Sequence, residues 1–207
     1  MLVIKNLRSD DNPQLERIKK FLRDNPDEGI RERPKDQIEL AQRTGLVLYV
    51  ENDAGIRGCS FIYKFSQSQI VYSEIGTMRV IENGFRLQQM LSQVHIIQMR
   101  YEEYYGVANE VFAVVRPGTG SEHRLKKYTL MQDWDPPPIL IHLRTQGGVS
   151  FSSEKYCLNA NDICNKKAIT DLAELYSGNN MFRVPNGDEQ VRFDLGWFHD
   201  GLLTMVP

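Results

Sequence analysis

The strongest periodic pattern in the chain is a long apolar stripe at helical spacing that directly follows a β-rich run. After Asn83-Gly84, apolar or aromatic residues recur every three or four positions, at Leu87, Met90, Leu91, Val94, Ile97, Tyr101 and Tyr104. This spacing predicts a single helix up to Gly106. The run before it, Ile70–Val80, and the run after it, Glu110–Val115, are both typical of strands. A strand, a long helix and a further strand favour a sheet covered by helices.

Upstream of this helix the sequence predicts further strands and helices. They are a strand at Val3–Ile4, a helix from Asn12-Pro13, a helix at about Lys35–Thr44, and strands at Leu46–Glu51, Ile56–Phe65 and Ile70–Val80. Asn12 would cap the first helix, and Ile38, Leu40 and Ala41 would face inward from the second. The turn residues Asn52–Gly55 predict a hairpin, so the three strands should form an antiparallel meander.

Downstream, the pattern continues to alternate between strands and helices. The predicted elements are a turn at Arg116–Gly120, a helix at Ser121–Leu130 capped by Ser121, strands at Ile139–Leu143 and Val149–Cys157, a helix at Asn161–Tyr176, and strands at Gln190–Trp197 and Leu202–Val206. This order makes mixed α/β the only consistent class. Prolines at 136–138 mark a rigid joint, and the predicted division is a domain of residues 1–145 with an α+β extension of residues 146–207.

Composition narrows the classes of partner. The formal net charge is −2 and the basic residues are scattered, so no nucleic-acid surface is expected. The longest apolar runs, such as Leu46–Val50, are too short to cross a bilayer. The first residues lack the basic lead and long apolar stretch of a secretory signal. We therefore expect a cytoplasmic protein without a membrane span.

Cysteine and histidine give little support to a metal site. Cys59, Cys157 and Cys164 form no CxxC pair, and an odd number cannot complete a disulfide framework. The four histidines are far apart and show no i, i+4 pair of ligands. Reduced thiols and no bound metal are the expectation.

Two stretches carry a family resemblance. Tyr72–Val80 followed by Ile81–Leu91 resembles the coenzyme A-binding part of the GCN5-related N-acetyltransferases (GNAT), where a strand and a short turn lead into Arg-Gly-x-Gly-x-Gly-x-x-Leu at the start of a long helix. Gly84 and Leu91 fall in register. Val114–Ser121 resembles the strand and Asn-x-x-Ser turn that precede the family's next helix. The resemblance covers about residues 1–145.

The resemblance implies a GNAT fold, an acyl-coenzyme A co-substrate, most simply acetyl-coenzyme A, and an amine acceptor. The glycine-rich turn would hold the pyrophosphate on backbone N–H groups at the start of the helix, and the preceding strand would hold the pantetheine arm. The cofactor-binding residues so implied are Met78, Arg79, Val80, Asn83, Gly84, Phe85, Arg86, Leu87, Gln88 and Ser121.

The sequence departs from the family motif at several of these positions. Arg86 and Gln88 stand at the second and third glycine positions, and Asn83 at the leading arginine. Arg86 is either a direct phosphate ligand or a solvated residue of the first helical turn. The tyrosine that commonly protonates the departing thiolate falls on Leu125, which has no proton to give. Tyr128 is the predicted substitute, with Ser121 and His123 as alternatives.

Glu74, in the strand beside the proposed cleft, is the predicted general base, acting through water. The alternative is a strand glutamate that faces solvent. Tyr101, Tyr104 and Tyr105 are interpreted as packing residues, although they could line a pocket.

Two functions remain open from the sequence. The first is an acyl-coenzyme A-dependent N-acyltransferase that acts by direct attack of an amine. The second is a binding or assembly module that kept the fold but lost part of the cofactor site. The extension, which contains Trp197 and Phe198, would shape the acceptor pocket, a homodimer interface or another partner surface.

Overall fold

A computed structural model describes residues 1–27, 30–44, 46–67, 70–82, 87–104, 108–129, 131–151, 156–160, 181–183 and 190–194. The described helices are α1 Asn12–Asp24, α2 Lys35–Arg43, α3 Leu87–Tyr104, α4 Gly120–Tyr128 and α5 Pro138–Gln146. The described strands are β1 Leu2–Asn6, β2 Val47–Asn52, β3 Gly55–Gln67, β4 Ile70–Val80, β5 Ala108–Val115, β6 Gln132–Trp134, β7 Tyr156–Asn159, β8 Met181–Arg183 and β9 Gln190–Asp194.

These strands form one mixed sheet in the order β6-β7-β5-β4-β3-β2-β1-β9-β8. The predicted meander of β2, β3 and β4 is confirmed, since each strand pairs antiparallel with the next. The long helix α3 then returns the chain so that β5 pairs parallel with β4. The α/β class is therefore confirmed.

The helices cover the sheet on both faces. One apolar cluster joins α1, α2 and α5 to the sheet and includes Leu15, Ile18, Ala41 and Leu140. A second cluster lies on the other face and joins α3 and α4 to the sheet through residues such as Ile96 and Leu125. We call these the α1/α2/α5 face and the α3/α4 face.

Two predicted N-caps are wrong by one or two residues. The carboxylate of Asp11, not the side chain of Asn12, accepts a hydrogen bond from the Gln14 N–H and caps α1. Thr119, not Ser121, caps α4 by accepting from the Glu122 N–H. Both errors have one cause, because adjacent residues with cap-forming side chains look equivalent until the backbone fixes which one stands outside the helix.

The predicted strand at Ile139–Leu143 is wrong, because this segment belongs to α5. Its β-branched residues suggested sheet, but Pro138 stands at the first helical position, where a proline costs no hydrogen bond. Leu140 and Arg144, four residues apart, are the residues that α5 buries. Helical spacing therefore outweighed residue composition.

The remaining differences are smaller. Leu40 was predicted to face inward but is 38% exposed, whereas Ala41 is buried. The strand predicted at Val149–Cys157 begins too early, because β7 begins at Tyr156 and residues 149–151 are not in a strand. The short strands β6 and β8 were not predicted. The predicted helix at 161–176, the strand at 202–206, and the aromatic residues Trp197 and Phe198 lie outside the described residues.

The described strands of the extension take part in the same sheet as residues 1–145. β7 lies between β5 and β6, and β9 pairs parallel with β1. The division at residues 145 and 146 stays a prediction.

Candidate active site

The parallel pair β4 and β5 separates halfway along its length. Their pairing runs from Ile70 opposite Ala108 to Glu74 opposite Phe112 and then stops, although β4 continues to Val80 and β5 to Val115. Backbone N–H and C=O groups that leave a ladder need other partners. The gap between these strand ends can therefore accept an extended ligand by strand-like pairing.

An irregularity in β4 accompanies the separation. Cys59 of β3 pairs with Arg79 and Phe61 pairs with Gly76, so β4 has one residue more than β3 in this interval. Thr77, within the extra stretch, has a positive φ of 46°, which is uncommon for a residue with a branched side chain. Such a bulge bends the strand that contains it. It lies where β4 has already parted from β5.

A cavity of about 470 Å³ opens at this gap and reaches both faces of the sheet. Its middle is lined by the separated strand segments 75–78 of β4 and 113–115 of β5. On the α1/α2/α5 face its walls include Arg33, Glu74 and Arg144. On the α3/α4 face they include Gln88, Ser92, Arg124 and Leu125. After the roles that the sequence resemblance implies, the first set is called the acceptor end and the second the cofactor end.

The acceptor end is built around a buried cluster of three ionised side chains. Arg33 donates to both carboxylate oxygens of Glu74, at 2.5 and 3.2 Å. Arg144 also donates to both, at 2.8 and 2.9 Å. The side chains of Arg33, Glu74 and Arg144 are only 8%, 2% and 3% exposed. The alternative of a solvent-facing Glu74 is therefore wrong.

This pairing decides the protonation state of Glu74. Burial alone would raise the pKa of Glu74, but the guanidinium groups of Arg33 and Arg144 outweigh burial and hold the pKa below its ordinary value. A carboxylate has about four lone-pair sites, and four donors already occupy them here. The role of Glu74 as a base stays a prediction, and it requires one of these hydrogen bonds to give way.

Aromatic rings and a glycine fix the two arginines. The guanidinium carbon of Arg33 lies 4.4 Å from the centre of the Tyr63 ring, and that of Arg144 lies 4.2 Å from the centre of the Phe151 ring. A Cβ at Gly76 would come within 3.2 Å of Nη2 of Arg33 and 3.1 Å of the Tyr63 ring. Only glycine leaves Arg33 its full room at this position.

The loop between α1 and α2 is tied down over the acceptor end. Arg79 donates to the Asn25 carbonyl oxygen at 3.1 Å and to the Asp27 carboxylate at 3.2 Å. At the other side, the Gln37 side-chain amide donates to the Gly147 carbonyl oxygen at 3.0 Å, which joins α2 to the end of α5. These contacts bring Arg33, from the loop, and Arg144, from α5, to the same carboxylate.

The cofactor end consists of the described starts of two helices. Gln88, in the first turn of α3, accepts a hydrogen bond from the Arg124 guanidinium of α4. Thr119 and Ser121, at the start of α4, also line the cavity. Helix N-termini attract anions because their N–H groups are unpaired and the helix dipole is positive there. At the start of α4 the Thr119 hydroxyl and the Glu122 carboxylate already accept from the Glu122 and Gly118 N–H groups. The Arg124 guanidinium is therefore the group at this end that suits a phosphate.

Several predicted site residues take up clear positions. Met78, Gln88 and Ser121 line the cavity. Leu87 is buried in the protein interior, and Arg79 is engaged by the α1–α2 loop. Val80 remains paired with Gly58 of β3. Their assignment to the cofactor stays a prediction for all six residues.

Other predicted site residues, or their side chains, lie outside the part of the chain that the structure describes. Asn83, Gly84, Phe85 and Arg86, the centre of the predicted pyrophosphate turn, lie outside the described residues. The backbone of Tyr128 belongs to α4, but its side chain is outside the described part, as are those of Tyr101 and Tyr104. Leu125, at the family's tyrosine position, does line the cavity.

Sequence reasoning missed Arg33, Arg124 and Arg144. Arg33 and Arg144 meet Glu74 across 41 and 70 residues of chain. Neither arginine stands in a recognisable motif, and the segment around Arg144 was mistaken for a strand. Nothing in a single sequence identifies these positions.

Groups outside the cavity have structural roles. His95 lies between the Ser60 hydroxyl and the Gln98 side chain, and burial lowers its pKa to about 4. Cys59 and Cys157 are buried thiols, and burial raises the pKa of each to about 12.

Among the described residues, no group of three His, Cys, Asp or Glu side chains could hold a metal ion. None of the described helices is long and apolar enough to cross a membrane.

No protein-family model and no curated protein matches the sequence. Solved structures do match, at low identity. Naa50 of Arabidopsis thaliana, in complex with the bisubstrate analogue CoA-Ac-MVNAL, is 12% identical with a TM-score of 0.53, over 77% of this chain and 98% of that one. A GNAT-family acetyltransferase from Streptococcus pneumoniae is 10% identical with a TM-score of 0.52, over the same shares.

A third match is NAA60 of Arabidopsis thaliana in complex with acetyl-coenzyme A. It is 14% identical with a TM-score of 0.50, over 77% of this chain and 98% of that one. At such identities the likeness concerns the backbone and not the chemistry. The resemblance that the two sequence stretches suggested is confirmed at the level of structure: the chain has the fold of the GCN5-related N-acetyltransferases.

Proposed function

We propose that this protein is an acyl-coenzyme A-dependent N-acyltransferase, most simply one that moves an acetyl group from acetyl-coenzyme A to an amine. The observation that carries the proposal is the gap between β4 and β5, because it opens through the sheet at the start of α3 and α4. The cavity there offers strand edges, helix starts and a separate charged end. Three structurally similar proteins are described as acetyltransferases or as bound to acetyl-coenzyme A or its analogue.

The residues present fit the co-substrate. The facing edges of β4 and β5, which no longer pair with each other beyond Glu74, would hold the amide groups of the pantetheine arm, and Met78 and Ala113 would contact its apolar parts. Gln88, Arg124 and Ser121 would meet the phosphates at the cofactor end, together with the predicted turn at 83–86. Acetyl-coenzyme A would supply an activated thioester.

The reaction needs few groups from the protein. The amine nitrogen attacks the thioester carbonyl carbon, a C–N bond forms and the C–S bond breaks. The nitrogen loses one proton and the departing sulfur gains one, so the products are an amide and coenzyme A. Holding the amine against the thioester supplies much of the rate through proximity. The cavity would hold the amine and the thioester side by side in this way.

Two proton-transfer roles belong to this proposal. Glu74 would receive the amine proton through water, and Tyr128 would protonate the thiolate, with Ser121 and His123 as alternatives. Since Glu74 is held by two guanidinium groups, it would act as a weak base. A pH–rate profile of Glu74→Gln that keeps the wild-type shape would remove Glu74 from this role.

One observation favours a second candidate, a module that binds without catalysis. Leu125 lines the cavity where the family's proton donor would stand. Under this reading the gap would bind an acyl-coenzyme A and no product would form. Coenzyme A release with an amine present separates the two functions.

The test has two stages. Acetyl-coenzyme A should raise the melting temperature, and at a concentration of 100 times Kd it adds about 2.7 kcal/mol to the free energy of unfolding. Release of coenzyme A thiol is then followed with a panel of amines, against reactions without an amine. No thermal shift at millimolar ligand would overturn the proposal, and a shift without any amine-dependent thiol release would favour the binding module.

A further inference from the structure

The acceptor end of the cavity contains more positive than negative charge. Arg33 and Arg144 share a single carboxylate, that of Glu74, so the buried cluster has a net charge of +1. Asp27 also lines the cavity, but Arg79 binds its carboxylate. A net charge that is almost excluded from water is unfavourable unless another group compensates it.

The two arginines have donors to spare. Each guanidinium has five N–H donors. Arg33 uses two of them on Glu74, and Arg144 uses two on Glu74 and one on the Ser150 carbonyl oxygen, at 3.2 Å. Guanidinium groups match carboxylates in a planar, two-bond arrangement. One further carboxylate would bring the charge of the cluster to zero and could accept from donors that these two cavity-lining arginines have left.

The cluster lies close to the proposed reaction centre, so a ligand carboxylate bound to it would place the rest of the ligand there. Glu74 is the last residue of β4 that pairs with β5, so the cluster stands next to the point where the gap opens. The gap is where the proposed thioester would lie. A molecule whose carboxylate meets Arg33 and Arg144 would therefore have its neighbouring atoms directed to the thioester.

The burial of Arg33 and Arg144 limits the size of a ligand that could bind to them. The arginine side chains are 8% and 3% exposed, and the α1–α2 loop is tied over them through Arg79. A cavity of about 470 Å³ must also accommodate the pantetheine arm. The space that remains suits a small molecule better than a folded protein surface.

We propose that the acceptor is a small amino acid-like molecule, whose carboxylate binds Arg33 and Arg144 while its nearby amine faces the gap between β4 and β5. This inference rests on the proposed function and adds the class of acceptor to it. Besides its proposed role as a base, Glu74 then has a positioning role, because it fixes the planes of both guanidinium groups that the acceptor carboxylate would meet.

The wild-type protein tests the inference without any substitution. Common α-amino acids are compared one by one with their matched α-amino amides, which keep the amine and the side chain but lack the negative charge. Coenzyme A thiol release is measured with acetyl-coenzyme A, and the thermal shift with saturating coenzyme A. We expect at least one acid to exceed its amide about 100-fold in kcat/KM, since a buried site rejects a ligand that leaves charges unpaired.

The outcomes separate the inference from the proposed function. Equal turnover of acids and amides, or amides preferred, would overturn the inference and leave the acyltransferase intact. Neither turnover nor a thermal shift with any amino acid would also overturn it, while a shift with acetyl-coenzyme A alone would still support cofactor binding. If acetyl-coenzyme A gave no thermal shift at all, both the inference and the proposed function would be overturned.

A substitution gives an independent test. Arg33→Lys keeps the positive charge but removes the planar pair of donors. We expect KM for the preferred amino acid to rise at least 10-fold while KM for acetyl-coenzyme A stays within twofold. Arg17→Lys is the control, because Arg17 contacts Glu51 and neither residue lines the cavity. An equal rise of both KM values in Arg33→Lys would indicate a structural role and contradict the inference.

Discussion

The two ends of the cavity are built by different means. The cofactor end uses local backbone structure, namely the first turns of α3 and α4 and the facing edges of β4 and β5, which no longer pair with each other. The acceptor end uses three side chains from a loop, a strand and a helix, which meet in a buried ion cluster. Substitutions at the cofactor end should therefore change the stability of the fold little. Substitutions in the ion cluster of the acceptor end should lower both ligand binding and the stability of the whole fold.

Removal of the Glu74 carboxylate is expected to have the largest effect on the stability of the fold. Glu74→Ala leaves two buried guanidinium groups without their carboxylate, so we expect the free energy of unfolding to fall by about 3–5 kcal/mol in urea titrations. Glu39→Ala is the control, since Glu39 makes only an exposed contact with Lys35, and it should change stability by less than about 0.5 kcal/mol. Equal effects for the two variants would contradict the coupling of the acceptor end to the fold.

The second prediction compares alanine substitutions of one glycine at each end of the cavity by their effect on stability. Gly76→Ala would place a Cβ 3.2 Å from Arg33 and 3.1 Å from the Tyr63 ring, so it should cost about 1–3 kcal/mol. At the cofactor end, Gly120→Ala meets only the flexible end of Arg124 at 3.4 Å and should be close to neutral. Urea titration measures both, and a neutral Gly76→Ala would show that Arg33 has room to move.

The dependence of stability on pH provides the third prediction. The folded-state pKa of Glu74 is depressed, so its contribution is fully present above the ordinary glutamate pKa of about 4.3 and is lost as pH falls through the lower folded value. The stability difference between wild type and Glu74→Gln should therefore shrink below about pH 4. Urea titrations at pH 7 and pH 3 measure it, and a constant difference would mean that Glu74 does not titrate in this way.

The smallest effect is expected at the cofactor end. Arg124→Ala removes an exposed cation, so stability should change by less than about 0.5 kcal/mol. Affinity for acetyl-coenzyme A should fall about 3- to 10-fold in calorimetric titration, the contribution of one partly exposed charge. Arg8→Ala is the control, since Arg8 is also exposed and does not line the cavity, and it should leave affinity unchanged. Unchanged affinity in Arg124→Ala would exclude a phosphate contact.

The same contrast explains what the sequence could predict. The meander and α3 follow from periodicity within a few residues, and the motif after β4 identified the family fold. Arg33, Glu74 and Arg144 depend on tertiary approach over tens of residues, which periodicity does not encode. The error at α5 is related, because Ile139 and Ile141 favour a strand by composition, while the burial of Arg144 against Glu74 depends on the helix.

Amide hydrogen exchange with and without acetyl-coenzyme A tests the central claim most directly. If the co-substrate binds in the gap, protection should rise in the separated segments of β4, residues 75–80, and β5, residues 113–115, and at the starts of α3 and α4. Peptides from β1 and β2 should show little change beyond global stabilisation. Protection that is absent from the gap, or that appears only elsewhere, would contradict the account.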